Sequence, residues 1–410
     1  MSKGKIKIPN KDLLIKIFKF ISWLDKKKWC KENQQKEKER ILKNFAPDLT
    51  NSERILTHWL CYITDRQMPF MRVWEIGGLV FSELVQEYKR SKKSLEEIFK
   101  DYYEEYNEKN RKKFRFISKR KKDKKGNPIV YASRFVTTDY LHIFQTLEVL
   151  DKHEVTINGK TYRRDLVAFI LHFIQKFKNE KEKCLRRVAC ALYLLTYRLD
   201  KDKENSEKFK SNVDKILKIL RDDKEFEKEF KKFDKKATEG KKRLWASLRN
   251  YKKGLFFEIF KEATKDITKD KAEKFIKVWE SLPMDSLELP GDRWNNDLRF
   301  IKCVLGLKEG DNVKLRNLNM SKLIREIYNN QKYHKELKEI GFYPEQFDVS
   351  FDFARKMCEE RLCHICPFNN GAKSICVPNE EYCTVALITC GYLAPCDQEN
   401  CIINKTKKLL

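Results

Sequence analysis

Apolar residues recur at helical spacing along most of this chain. Ile55, Leu56, Trp59, Leu60 and Ile63 form one such run, and Val73, Ile76, Leu79, Val80 and Leu84 form a second beyond Pro69. Together they predict two buried helices joined near Pro69. The first is expected to open at Ser52, a residue type whose side-chain oxygen satisfies an otherwise unpaired amide of the first turn. Further upstream, Leu13, Leu14, Ile17, Phe18, Ile21 and Leu24 precede a lysine-rich tract from Lys26 to Lys43, the pattern of a basic amphipathic helix. Helices are expected again from Leu166 to Tyr197 and from Leu244 to about Leu282. Residues 200–242 keep only a sparse apolar set (Phe209, Val213, Ile216, Leu217, Leu220, Phe226, Phe230, Phe233), which suits exposed helices that bury one narrow stripe. The single clear β signal is Asn158-Gly159 between Val155-Thr156-Ile157 and Lys160-Thr161-Tyr162, a tight hairpin. No internal repeat is evident.

Composition narrows the class without changing it. Hydrophobic residues at 41% and aromatics at 12% exclude a wholly disordered chain, while 36% charged residues and only 13 glycines argue against a loop-rich all-β protein. A length of 410 residues fits one large or two to three ordinary domains. The fold class expected is mainly α with a small β-hairpin insertion. No stretch reaches the run of about 18 apolar residues that spans a bilayer, since Lys16 and Lys19 interrupt Leu13 to Leu24. With no export signal read, a cytoplasmic protein without membrane attachment is expected, and a monomer.

Charge points to a partner. Lys and Arg number 88 against 61 Asp and Glu, a formal +27 that attracts a polyanion and binds its phosphates by releasing counterions. Nucleic acid is therefore the expected partner. Residues 111–125 concentrate this charge: Arg111, Lys112, Lys113, Arg115, Lys119, Arg120, Lys121, Lys122, Lys124 and Lys125, interleaved with Phe114 and Phe116 and followed by Gly126-Asn127-Pro128. Read as a loop, this segment tracks a phosphate backbone with Arg115, Lys119, Arg120, Lys121 and Lys122 while its aromatics stack on bases. A solvated lysine loop with no ligand fits the same composition.

The C-terminal region carries eight of the 13 cysteines: Cys358, Cys363, Cys366, Cys376, Cys383, Cys390, Cys396 and Cys401. Thiolates grouped on short loops of a chain kept in a reducing compartment suit zinc or an iron-sulfur cluster. The first four form C-x4-C-x2-C-x9-C around Cys363-His364-Ile365-Cys366-Pro367, with His364 read as a bystander. The last four, in C-x6-C-x5-C-x4-C, can hold a second metal, zinc or a cluster, and other partitions of the eight are open. Zinc at both places is the alternative.

The loop around Cys363 resembles the four-cysteine iron-sulfur loop of helix-hairpin-helix DNA glycosylases of the endonuclease III and adenine-glycosylase type. Upstream, Leu287-Glu288-Leu289-Pro290-Gly291-Asp292 is similar to that superfamily's Leu-Pro-Gly hairpin, with apolar positions at helical spacing on either side (Ala272, Phe275, Ile276, Trp279, Leu282; Phe300, Ile301, Val304, Leu305). Asp311, followed by Arg316, stands at the offset of the family's catalytic aspartate, and its distance to Cys358 is also similar. Gln67 weakly matches the glutamine that many members direct into the duplex. The chain departs from the pattern at two positions. Arg293 occupies the place of the hairpin's second glycine, and Asp297 that of the lysine nucleophile of bifunctional members.

The resemblance implies helix-hairpin-helix glycosylase-like helical domains, a 4Fe-4S cluster on Cys358, Cys363, Cys366 and Cys376, duplex DNA as the preferred nucleic-acid partner, and monofunctional hydrolysis of an N-glycosidic bond at a damaged or mispaired base. Asp311 is the catalytic candidate it implies, with Asp292 and Asp297 behind it; Gly291, Arg293, Trp294 and Arg316 join the DNA-contacting set. Without the resemblance, Asp311 reads equally as a turn residue in Glu309-Gly310-Asp311-Asn312, and Asp292 and Asp297 as helix caps. The alternative function is a non-catalytic, zinc-stapled DNA- or RNA-binding protein. The organisation expected is a basic helical arm (1–50), opening core helices (51–100), a charged, mostly helical insertion (101–250), a helix-hairpin-helix-like domain (251–357) and a cysteine-rich metal-binding region (358–410).

Overall fold

A computed structural model describes residues 22, 35, 38–64, 74–75, 77–109, 111–131, 137–175, 191–192, 194–195, 206–235, 255–268, 327–342 and 344. The chain divides into two compact units, one of Gln35–Leu282 and one of Met1–Gln34 with Pro283–Leu410. The described residues are mostly helical, with two small antiparallel sheets.

In the 35–282 unit the first expected helix is present as α1 (Asn51–Thr64), and it buries the positions that the apolar spacing picks out: Ile55, Leu56, Trp59, Leu60 and Ile63. Its cap is Thr50 rather than Ser52. Thr50 Oγ1 accepts from the Glu53 amide at 3.3 Å and Glu53 Oε2 accepts from the Thr50 amide at 2.7 Å, a reciprocal capping box. Ser52 instead donates to Asp165 Oδ2 at 2.6 Å. Glu53 is buried, and Arg90 clamps it with two hydrogen bonds of 2.9 and 2.8 Å.

The second expected helix is interrupted. A π-helical turn (Gly77–Phe81) precedes α2 (Ser82–Arg90) and packs against α1. Glycine is needed there for close approach: a Cβ on Gly77 would run into Cys61 Sγ of α1, and one on Gly78 would lie 2.6 Å from Asn44 Cβ. After α2 comes α3 (Leu95–Tyr102), capped by Ser94 and Glu97 in a second capping box. A three-stranded sheet follows, β1 (Tyr103–Glu108), β2 (Arg111–Lys122) and β3 (Pro128–Tyr131), in the order β1-β2-β3.

The chain then enters α4 (Thr137–Lys152), tied to α2 by the Tyr88 hydroxyl, which donates to the Leu147 carbonyl at 2.6 Å. The hairpin expected at 155–162 is present as β4 (Val155–Ile157) and β5 (Lys160–Tyr162). Its two turn residues have φ of 53° at Asn158 and 78° at Gly159, the pairing that Asn-Gly supplies in a two-residue hairpin turn. Next come α5 (Leu166–Gln175), α6 (Ser206–Arg221), α7 (Asp223–Lys235) and α8 (Leu255–Ile267). Helices α4, α5 and α8 pack around α1, so this part of the core is built on its apolar face. The narrow stripe expected on α6 is observed, with Val213, Ile216, Leu217 and Leu220 buried, and Phe226 of α7 stacks on Phe173 of α5 at 5.1 Å. Among the described residues no helix is long and apolar enough to cross a membrane.

In the other unit, α9 (Gln331–Glu339) begins at Asn330, whose side chain accepts from the Lys332 amide, and buries Leu337. It ends in a glycine cap. Gly341 has φ of 72°, and the Gly341 and Phe342 amides donate to the Lys338 and Leu337 carbonyls at 2.9 and 2.8 Å.

Candidate nucleic-acid interface

The basic segment is a strand where a loop was expected. β2 pairs with β1 from Tyr103↔Phe116 to Glu108↔Arg111, and with β3 through Phe116↔Tyr131, Ile117↔Val130 and Ser118↔Ile129. Its charges conceal a period of two: Phe114, Phe116 and Ser118 are buried, while Lys113, Arg115 and Ile117 between them are partly exposed. Base stacking by the two phenylalanines is thereby corrected. Phe114 stacks on Tyr140 of α4 with ring centroids 3.9 Å apart, and Phe116 lies edge-on to Phe81 and Tyr103 at 5.3 and 4.9 Å. These rings anchor the sheet to the helices because the energy of burying them exceeds that of leaving them for a ligand.

Beyond Ser118 the pairing shifts and resumes only at Lys122↔Pro128, so Lys119, Arg120 and Lys121 have no β3 partner. A bulge of this kind strands backbone amides, and here side chains satisfy them. Glu83 of α2 accepts from the Lys119 amide at 3.0 Å and from the Arg120 amide at 3.2 Å; Ser118 Oγ accepts from the Lys121 amide at 3.1 Å. Burial pushes the Glu83 carboxyl above the ordinary glutamate range, against the pull of those two amides.

The tip is equally well fixed. Asp123 Oδ1 accepts from the Lys125 and Asn127 amides, both at 2.8 Å, the Asp123 amide donates to the Asn127 carbonyl at 2.7 Å, and Gly126 supplies φ of 84°. The Asn127 amide, helped by that of Lys125, holds the Asp123 carboxyl below its usual range. Every residue from Lys119 to Pro128 is exposed. The result is a stiff hairpin whose end carries Arg120, Lys121, Lys122, Lys124 and Lys125 into solvent.

The five described members of the expected nucleic-acid set differ in what they are free to do. Lys121 and Lys122 lie on the exposed end. Arg120 does too, with its Nε 3.9 Å from Glu83 Oε1. Arg115 places its guanidinium 4.0 Å from the centre of the Tyr106 ring, at the root. Lys119 is engaged within the protein: its ammonium bridges Asp101 Oδ2 at 2.8 Å and Glu87 Oε2 at 3.0 Å, 4.5 Å from the centre of the Tyr102 ring. Lys93 joins the same two carboxylates, so Lys119 fastens the bulge to α2 and α3. Lys119 and Lys93 lower the Asp101 carboxyl, and at Glu87 burial is outweighed by Lys93, Lys119 and the Tyr102 hydroxyl.

The other named residues lie outside the described residues: Gln67, Gly291, Asp292, Arg293, Trp294, Asp297, Asp311, Arg316 and the eight cysteines from Cys358 to Cys401. Among the described residues no group of three or more His, Cys, Asp and Glu side chains is placed to hold a metal ion. Residues that sequence reasoning did not single out, Glu83, Asp123 and the Ile117–Val130 pair, shape the hairpin. Asp123 had a local signal in Asp-Lys-Lys-Gly-Asn-Pro, a turn composition; Glu83 had none, because it meets the bulge only through the fold. No family model, no curated protein and no solved structure matches this chain.

Proposed function

We propose that this chain binds DNA through the β2–β3 hairpin and acts in base-excision repair as a monofunctional DNA glycosylase. The observation that carries the binding is the hairpin end, where five cations stand on a bulge held by Glu83 and Ser118 and a turn held by Asp123. Such a tip meets phosphates without first losing the conformational freedom of a loop.

The catalytic part rests on the resemblance around Pro290-Gly291, Asp311 and Cys358 to Cys376. Cleavage of an N-glycosidic bond builds positive charge on the sugar; the Asp311 carboxylate would stabilise it and orient the attacking water. Asp297, at the place of a lysine nucleophile, leaves no amine there for a Schiff base, hence hydrolysis rather than strand cleavage. Asp292 and Asp297 are the reserve carboxylates. Gln67, Gly291, Arg293, Trp294 and Arg316 would contact the strand around the displaced base. Cys358, Cys363, Cys366 and Cys376 form a donor set suited to a 4Fe-4S cluster, and Cys383, Cys390, Cys396 and Cys401 one suited to a second metal; such a centre would staple a segment and shape a basic loop.

The test is a substitution. Asp311→Asn is expected to keep DNA affinity and cysteine-bound iron while base release from a panel of damaged duplexes falls by about a thousandfold. Unchanged release by the variant removes Asp311 from the chemistry. A wild-type protein that is colourless, contains zinc and releases no base from any duplex would leave the other reading, a zinc-stapled binding module.

A further inference from the structure

The outward face of the hairpin carries an apolar pair that its charge does not explain. Ile117 of β2 stands opposite Val130 of β3, on the face away from Phe116 and Ser118. Val130 is 42% exposed, the one large apolar side chain so turned to solvent among the described residues. Just beyond this pair begins the exposed stretch that holds Arg120, Lys121, Lys122, Lys124 and Lys125. From Ile117 to Val130 the sequence contains no Phe, Tyr or Trp; at the root Phe114 and Phe116 are packed inside, and the half-buried Tyr106 ring is engaged by the Arg115 guanidinium. Single strands are held mainly by bases stacked on aromatic rings, and this arm offers none.

We infer that the β2–β3 hairpin is an arm for the major groove of B-form DNA, with Ile117 and Val130 against the base edges and the five tip cations along the flanking phosphates. The inference rests on the proposed DNA binding and specifies its geometry. Two paired strands lie about 4.8 Å apart, so a ribbon with its side chains fills a groove about 12 Å wide. The minor groove, at about 6 Å, is too narrow for it without distortion. A-form RNA, whose major groove is deep and narrow, excludes it. Apolar contact in the major groove falls on thymine methyl groups, a partner that a valine and an isoleucine suit and a lysine does not. The stiffness of the arm matters here, since the bulge held by Glu83 and the turn held by Asp123 fix the cations relative to the apolar pair.

Two measurements on the full-length protein test this. The first is fluorescence anisotropy with one 20-nucleotide sequence presented as duplex DNA, single-stranded DNA and duplex RNA, each over a range of salt. Wild type is expected to bind duplex DNA roughly tenfold more tightly than either rival. Ile117→Ser with Val130→Ser is expected to lose most of that preference while its salt dependence stays as in wild type. The second needs no variant: bound wild type should shield guanine N7, in the major groove, from dimethyl sulfate and leave adenine N3, in the minor groove, reactive. Equal affinity for the three ligands, tighter binding of single strands or of duplex RNA, or protection confined to adenine N3 overturns the groove assignment. If binding still weakens steeply with salt in that case, the cationic grip stands; if no salt-dependent binding occurs at all, the grip fails as well.

Discussion

Single residues in this protein settle competing demands of burial and charge, and Asp165 is the best example. Burial pushes its carboxyl up, but the Lys89 ammonium at 2.8 Å, with help from Ser52 and the Ala168 amide, more than compensates and holds it below the ordinary 3.8. The same carboxylate caps α5 by accepting from the Val167 and Ala168 amides at 2.9 and 3.0 Å. A depressed folded value means that this carboxylate contributes stability above the unfolded value, and that the contribution is lost as pH falls through the folded one. Asp165→Asn should therefore cost about 2 kcal/mol near pH 7, and the gap to wild type should close as pH falls below about 4. Urea unfolding at a series of pH values checks this; a gap that does not change with pH would show that the charge of Asp165 is not what counts. Glu83 has the opposite sign. Its raised carboxyl makes ionisation unfavourable as pH rises through its range, so it does not add to the acid-side loss.

Among the elements, the hairpin shows why a carboxylate is worth that penalty. Without Glu83 the Lys119 and Arg120 amides lack an acceptor, and leaving such groups unpaired in a part-buried site costs about 2 to 3 kcal/mol. Glu83→Ala should lower stability by that amount and loosen the arm. It also removes a negative charge, which by charge alone would tighten DNA binding. The expected outcome is weaker binding by several-fold in the same anisotropy assay; tighter binding would mean that net charge matters and arm geometry does not.

Legibility in the sequence divides along the same physical line. α1 and the Asn158-Gly159 hairpin were readable because local periodicity and turn chemistry agree with the tertiary outcome. β2 was not, since ten basic residues over 111–125 mask the alternation of Phe114, Phe116 and Ser118, and low apolar content reads as loop. The cap moved from Ser52 to Thr50 because Asp165, far along the chain, claims the Ser52 hydroxyl. Likewise Lys119 looked like its neighbours. Its partners Glu87 and Asp101 lie 32 and 18 residues away, a distance over which no local pattern assigns an ion pair.

At the scale of the whole molecule, the formal +27 gives a diffuse attraction to any polyanion, whereas the proposed hairpin contact would give it an address. The 35–282 unit holds the hairpin through buried aromatics at the root, a buried carboxylate at the bulge and an Asp-centred turn at the tip. The proposed base-removal chemistry, with Asp311 and the cysteine cluster, belongs to the other unit, and the resemblance that supports it does not touch the hairpin. Binding and catalysis are accordingly tested apart.

The measurement that bears most directly on the central claim is the salt dependence of duplex-DNA affinity for wild type and for Lys121→Ala with Lys122→Ala. Each phosphate contact contributes about −0.9 to the slope of log affinity against log salt. The double variant should bind more weakly at low salt with a slope shallower by about 2. A slope identical to that of wild type would place the DNA elsewhere on the protein and contradict the account.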